Sequence, residues 1–377
     1  MTGIVIVGSG LGGYSLAREI RRLDRTVALT VVTADGGESY SKPMLSAAFA
    51  QGKDIAALIQ KDADTMAAEL DIQVLRRTRV VAIDRAAKVL RLADGGVVGY
   101  GRLVLALGAD PRPYRVEGSE AVAVRTVNDL DDYALWRAGL VAGGRVLLIG
   151  AGLIGMEFAN DLAIAGQRVS VVDPSPWPLG RLLPRQLGEE LATALTGIGI
   201  DLHLGRSVAR LAQGRATLDD GSEVAFDTIL SAIGLVPRIA LAAAAGLAVD
   251  KGIVVDRALR SSDPDIFAIG DCAQTEAGPL PFVAPLMAEA KALAATLAGG
   301  GATLKLPALP VVVKTPALPV AVCPPAAGAA GEWRIEGVGH DRKALYIGAD
   351  GIPLGFALTG AATAERQALA KEMPDLL

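Results

Sequence analysis

The sequence predicts an α/β protein of 377 residues: two parallel-sheet units built on one plan, followed by a small α+β unit. Three observations carry this expectation. The stretch Arg145 to Asp173 reads as an apolar strand (Val146 to Ile149), the turn Gly150-x-Gly152-x-x-Gly155, a helix, and a second apolar strand (Val169 to Val172) closed by Asp173. The chain opens on the same arrangement: Ile4 to Val7, then Gly8-x-Gly10-x-x-Gly13, a helix over Tyr14 to Leu23, and a strand over Val27 to Val32 leading to Asp35. From about Leu304 the texture changes to short strands without such a turn.

In each turn the first glycine permits a tight bend and the second lets the backbone approach a pyrophosphate. The third lets the helix pack close on its strand. The helix N-terminus then offers free N–H groups and a positive dipole end to the phosphates. Asp173 lies 18 residues past Gly155, and Asp35 lies 22 past Gly13, near the spacing of a ribose-binding carboxylate. One such motif is a weak signal. Two complete strand-turn-helix-strand-acid units predict two bound dinucleotides, each in a Rossmann-like domain.

Composition sets limits. Hydrophobic residues make up 51% and mean hydropathy is +0.39, enough for buried parallel sheets. Net charge is -4, which argues against a general nucleic-acid binder. The two cysteines, Cys272 and Cys323, make no disulfide framework. His203 and His340 stand far apart with no clustered ligands, so no metal site is expected. The N-terminus enters a strand without a basic region, and no uninterrupted apolar span appears. A soluble cytoplasmic protein is the expectation.

Between the units, the loop Gly36 to Ser46 follows the first ribose acid and carries Lys42 and Pro43. Asp54 to Leu70 reads as helical, and Ile72 to Ile83 as two strands around Arg76 to Arg79. Arg76, Arg77 and Arg79 read as a solvated strand face rather than a partner patch. Val89 to Tyr100 reads as a hairpin and Leu103 to Leu107 as a buried strand. Gly108, Pro111 and Pro113 suggest a domain crossing. The second unit adds helices at Asn128 to Val141 and Pro184 to Leu195, a hairpin at Leu218 to Val224, and a buried strand at Thr228 to Ile233. Ile266 to Asp271 places a carboxylate at a sheet's carboxyl edge, where ligands bind; a helix N-cap is the alternative role. A helix over Pro285 to Leu297 precedes the last unit, and one over Ala362 to Glu372 closes the chain.

Together these residues resemble the FAD-dependent pyridine nucleotide oxidoreductases. The resemblance covers the whole chain and adds Leu103-Val104-Leu105-Ala106-Leu107-Gly108, Ile233-Gly234-Leu235-Val236-Pro237 and Ile266-Phe267-Ala268-Ile269-Gly270-Asp271 to the two glycine turns. Ser39 to Ser46 and Val313-Lys314-Thr315-Pro316 look like the bacterial branch that reduces rubredoxin with NADH. The resemblance implies a discontinuous FAD domain (1–113 and 236–303), an NADH domain (114–235) and a C-terminal α+β domain (304–377). Implied FAD contacts are Gly8, Ser9, Gly10, Leu11, Gly12, Gly13, Thr33, Ala34, Asp35, Lys42, Val80, Asp271, Val283 and Lys314. NADH falls to Gly150, Gly152, Gly155 and Asp173. Glu157, in the first turn of the second helix, is expected near the flavin and nicotinamide with Lys42 as its cationic partner. The implied reaction passes a hydride from NADH to FAD, then single electrons to rubredoxin. A [2Fe–2S] ferredoxin acceptor and a nucleotide-sensing interaction protein are the alternatives. Neither cysteine has redox spacing, so both read as buried structural thiols and the acceptor must be external. Lys314, Arg342, Lys343 and Lys42 are candidates for a basic docking face.

Overall fold

The computed structural model describes residues 3–377. Ile4–Val7 is buried at all four positions and lies in a five-stranded sheet ordered Ile266–Ala268, Arg102–Leu105, Ile4–Val7, Leu29–Val32, Gln73–Leu75. Every pairing in it is parallel. Such strands need both faces covered, which explains their unbroken apolar runs. A second parallel sheet runs Val124–Arg125, Thr228–Ser231, Arg145–Ile149, Arg168–Asp173, Asp201–Leu204. The first sheet therefore draws strands from both sides of the second in sequence. Each has a three-stranded antiparallel companion, starting at Val80–Asp84 and at Val208–Ala212.

The chain leaves the first unit along Ala109–Pro111 and returns along Leu235–Pro237, and these two segments pair antiparallel. Beyond residue 304 an antiparallel sheet forms in the order Val311–Val313, Val320–Cys323, Pro353–Thr359, Asp341–Gly348, Gly331–Val338. A 3₁₀ turn, Gly360–Glu365, and a short helix, Arg366–Ala370, replace the expected closing helix.

Asp54 to Leu70 is not one helix. Asp54 caps Ile55–Leu58 by accepting from the Ala57 N–H, and Asp62 caps Ala63–Leu70 by accepting from the Thr65 N–H. Ile59–Lys61 between them is a strand paired with Ser39–Tyr40. Asp129 likewise starts Leu130–Ala138 later than expected. Arg77 sits in a turn at φ 52°, outside any strand, and Arg76 and Arg77 pair with Asp64 and Asp131.

One core serves the first sheet; another joins the second sheet to residues from the 45–59 segment and the last unit. Trp136 anchors this second core, edge-on to Phe158 with ring centroids 5.4 Å apart. Its indole N–H is buried without a partner among the described residues. Trp136→Ala should cost about 3–5 kcal/mol. Trp136→Phe should cost clearly less, because it also removes an unsatisfied donor. Urea unfolding midpoints of the two variants check this.

Candidate functional site

The glycine turns separate packing from openness. A Cβ on Gly155 would lie 1.9 Å from the Gly150 carbonyl oxygen, and one on Gly150 would lie 2.7 Å from that of Ala232. A Cβ on Gly152 would meet nothing within 4 Å. The first unit repeats this: Gly13 faces Gly8 at 1.9 Å, Gly8 faces Ala106 at 2.2 Å, and Gly10 is open. Gly10 and Gly152 are the N-caps of Leu11–Leu23 and Leu153–Ile164, and neither helix has a side-chain cap. Each turn is thus an open cradle ending in uncommitted N–H groups, which fits a pyrophosphate.

The expected ribose acids close both cradles. Asp35 Oδ1 accepts from Ser9 Oγ (2.9 Å), Thr33 Oγ1 (2.5 Å) and the Gly37 N–H (3.0 Å). Its Oδ2 has no hydrogen bond among the described residues, so Ser9 and Thr33 orient the acid and leave one oxygen for a ligand. Ala34 beside it is exposed. Asp173 Oδ2 accepts from the Ala151 N–H inside the second turn, and Oδ1 from the Ser175 N–H, both at 2.7 Å. Sequence spacing missed Arg206. Its N–H bonds the Asp173 carbonyl at 3.1 Å, while its guanidinium is held by Asp220 at 2.7 Å.

Lys42 does not pair with Glu157. Its Nζ donates to Asn128 Oδ1 at 2.6 Å, and Asn128 Nδ2 donates to the Ala109 carbonyl at 2.9 Å. Burial lowers the Lys42 pKa, and the Asp271 charge opposes this most. Burial raises the Asp271 pKa, opposed by Lys42. Glu157, the fifth residue of its helix and 1% exposed, accepts from Ser46 Oγ (2.6 Å), the Lys314 N–H (2.9 Å) and Lys314 Nζ. Lys42 begins the 3₁₀ turn Lys42–Ala47 and Ser46 lies near its end, so the turn presents the serine to Glu157. Asn128, read from sequence only as a helix start, is the partner that spacing could not reveal.

Val283 opens the helix Val283–Leu297, which packs against Leu11–Leu23. Val80 is half-buried at the start of its strand. Glu289 on the Val283–Leu297 helix accepts the Gly270 N–H at 2.7 Å, next to Asp271. Burial pushes Glu289 up to about 7, against the Gly270 N–H and with help from the Asp271 charge.

The four cations expected on a basic docking face each have a partner. Arg342 pairs with Glu190 (2.9 Å), Lys343 with Glu365 (3.3 Å), Lys314 with Glu157, and Lys42 is turned inward. Cys272 and Cys323 are free, buried and in separate cores, with thiols pushed by burial up to about 12 and about 11. His203 meets only Asp201, and no group of three or more metal-ligating side chains occurs among the described residues. No described helix is long and apolar enough to cross a membrane.

Two open glycine turns at the carboxyl edges of two parallel sheets, each beside a hydrogen-bonded aspartate, are the arrangement of a two-dinucleotide oxidoreductase. The sequence profile of the pyridine nucleotide-disulphide oxidoreductases matches residues 2–291, and that of the rubredoxin binding C-terminal domain matches 303–373. The chain belongs to the pyridine nucleotide-disulphide oxidoreductase family. It is 43% identical to a rubredoxin-NAD(+) reductase of Alcanivorax borkumensis, over 99% of both chains. It is 40% identical to a rubredoxin-NAD(+) reductase of Acinetobacter baylyi, over 99% of this chain and 98% of that one. Among solved structures it resembles the ferredoxin reductase for the CYP199A2 system from Rhodopseudomonas palustris. The TM-score is 0.90 and the identity 26%, over 98% of this chain and 95% of that one.

Two outcomes follow from this geometry. Gly152→Ala should leave thermal stability unchanged but raise the KM for NADH about tenfold, the loss of one charge-assisted phosphate contact. Gly155→Ala should destabilise the fold by about 3 kcal/mol or more through its backbone clash. Melting curves beside NADH titrations separate the two. Glu289 titrates at about 7 when folded, against an ordinary glutamate value of 4.5, so between the two the folded state holds the extra proton. That contribution is full below about 4.5 and lost as pH rises through about 7. Glu289→Gln keeps an acceptor for Gly270, so it should stabilise the protein by about 1–3 kcal/mol at pH 8 and by little at pH 5. Denaturation at the two pH values checks the sign.

Proposed function

We propose that the chain is a flavoprotein reductase that takes a hydride from NADH onto FAD and passes single electrons to rubredoxin in the cytoplasm. The observation that carries this is two open cradles in one chain whose only thiols are buried and apart, joined to a C-terminal segment matching a rubredoxin binding domain. FAD, when bound, supplies acceptance of an electron pair and release of electrons one at a time.

The chain's own residues supply binding and electrostatics. Gly8 shapes the first turn, and the N–H groups from Ser9 through Gly13 would hold the FAD pyrophosphate. Thr33, Ala34 and Asp35 would take its ribose. Lys42, Val80, Asp271, Val283 and Lys314 would line the remainder. The helix Val283–Leu297 has no side-chain cap, so its N-terminal dipole favours negative charge nearby. Gly150, Gly152, Gly155 and Asp173 would hold NADH. Glu157, neutralised by Lys314 and shielded from water, would border the crevice where the two nucleotides meet. The FAD domain would comprise 1–113 and 236–303, the NADH domain 114–235, and the acceptor-facing unit 304–377.

The resemblance to a ferredoxin reductase keeps a [2Fe–2S] ferredoxin as a second acceptor. Anaerobic NADH oxidation with rubredoxin and ferredoxin in parallel decides between them. Faster rubredoxin reduction is expected, with weak salt dependence because the candidate docking cations are already paired. Faster ferredoxin reduction at every ionic strength rejects the rubredoxin assignment, and no NADH-driven reduction of either rejects the enzyme.

NADH should exceed NADPH in kcat/KM by about tenfold or more, because Asp173 disfavours a 2′-phosphate and Asp220 holds the Arg206 guanidinium. Asp220→Ala releases Arg206 and should narrow that ratio. A ratio unchanged by the substitution would show that Arg206 does not reach the 2′ position.

A further inference from the structure

The helix Leu153–Ile164 carries three consecutive members of one face, Glu157, Asn160 and Asp161, at i, i+3 and i+4. They are 1%, 0% and 7% exposed, on a helix otherwise lined inside by Phe158, Ala159 and Leu162. Burying three polar side chains together costs several kcal/mol of desolvation unless each is bonded. Their bonds all leave the unit. Asp161 accepts from the Phe49 N–H (2.9 Å) and the Ala50 N–H (3.0 Å). Asn160 Oδ1 accepts from the Ala317 N–H at 3.1 Å. Glu157 takes Ser46 and both nitrogens of Lys314. The 46–50 segment belongs to the FAD side and 314–317 to the last unit, so one helix face is fastened to both.

The glycine turn does not require this pattern. The equivalent positions of the first helix are Ser15, Arg18 and Glu19, and Glu19 pairs locally with the exposed Arg22. Asn160 also leaves its Nδ2 buried without a partner among the described residues, a cost that an apolar residue would avoid. What the polar face adds over an apolar one is direction: N–H···O bonds fix an orientation that apolar packing leaves adjustable.

We infer that Asn160 and Asp161 are positioning residues for the NADH step, pinning the nucleotide helix to the 46–50 and 314–317 segments so that Glu157 and the NADH crevice stay in register. The inference rests on the proposed role of that crevice. It predicts an asymmetry. The clamp orients the NADH unit against the rest, so loosening it should slow reduction by NADH and spare electron delivery to the acceptor. Displacement on the order of an ångström costs about a hundredfold in an oriented reaction, so losses of about tenfold or more are expected.

The test uses FAD-loaded full-length Asp161→Ala, Asn160→Ala and the near-isosteric Asp161→Asn, which presents an NH₂ to one of the two N–H donors. Amide hydrogen exchange should accelerate at Phe49 and Ala50 in the Asp161 variants and at Ala317 in Asn160→Ala. The limiting rate of flavin bleaching by NADH should fall about tenfold or more with NADH affinity changed less than about threefold. Rubredoxin reduction by chemically prereduced enzyme should stay within about twofold. Unchanged bleaching with accelerated exchange overturns the inference, as does an equal loss in both half-reactions. If Asp161→Ala fails to fold, Asp161→Asn and Asn160→Ala carry the same criteria. Wild-type protein that NADH does not bleach rejects the functional reading itself, whereas bleaching of wild type and variants alike rejects only the clamp.

Discussion

A carboxylate with 1% of its surface exposed cannot stand alone, and the assembly around Glu157 follows from that constraint. Its charge is offset by Lys314, which the last unit supplies, and its remaining acceptor capacity by Ser46, which the first unit supplies. Neither partner is near Glu157 in sequence. The full set of bonds to Glu157 therefore forms only when its helix meets both the Lys42–Ala47 turn and the segment carrying Lys314. The shared apolar core containing Leu45, Leu148, Met156 and Val313 supplies attraction for docking, and the polar contacts supply its direction.

The topology brings these partners together by returning the chain on itself. Ala109–Pro111 and Leu235–Pro237 run side by side, so the second unit is an insertion held at one narrow stem. Ile266–Ala268 then joins the sheet that Ile4–Val7 began, pairing beside Arg102–Leu105. Its carboxyl end delivers Asp271 to the edge where the first glycine turn already lies. Glu289 ties the Gly270 N–H to the Val283–Leu297 helix, which packs on Leu11–Leu23. Two strands distant in sequence thus contribute to one cradle because a parallel sheet collects its functional groups at a single edge.

This explains what was legible in the sequence. Both glycine turns, their flanking strands and their acids are local patterns, and they stand where spacing put them. The Gly270-Asp271 carboxylate at a strand's end was equally readable. The partner of Glu157 was not, because Lys42 and Lys314 are both plausible cations and only the path of Lys42–Ala47 decides which turns toward the helix. Asn128 and Arg206 were invisible for the same reason: each matters through a neighbour brought by the fold, Lys42 in one case and Asp173 in the other. The split helix at 54–70 was a local failure. Asp54 and Asp62 are cap residues eight apart, and the second restarts a helix that periodicity alone reads through.

The route out of the protein is constrained by the same pairing logic. Cys272 donates to the carbonyls of Leu105 and Ile269, and its thiol is pushed up to about 12, so it cannot act as a thiolate relay. Neither buried thiol offers a relay to an external acceptor. Two cations of the last unit are already committed, Lys314 to Glu157 and Arg342 to Glu190. A lysine that neutralises a buried carboxylate presents little field at the surface, since the pair is a dipole whose potential falls off faster than that of a charge. The residue that ties the last unit to the nucleotide helix is therefore poorly suited to attract an acidic partner from a distance. Lys314 instead fixes the unit that matches a rubredoxin binding domain against the nucleotide helix.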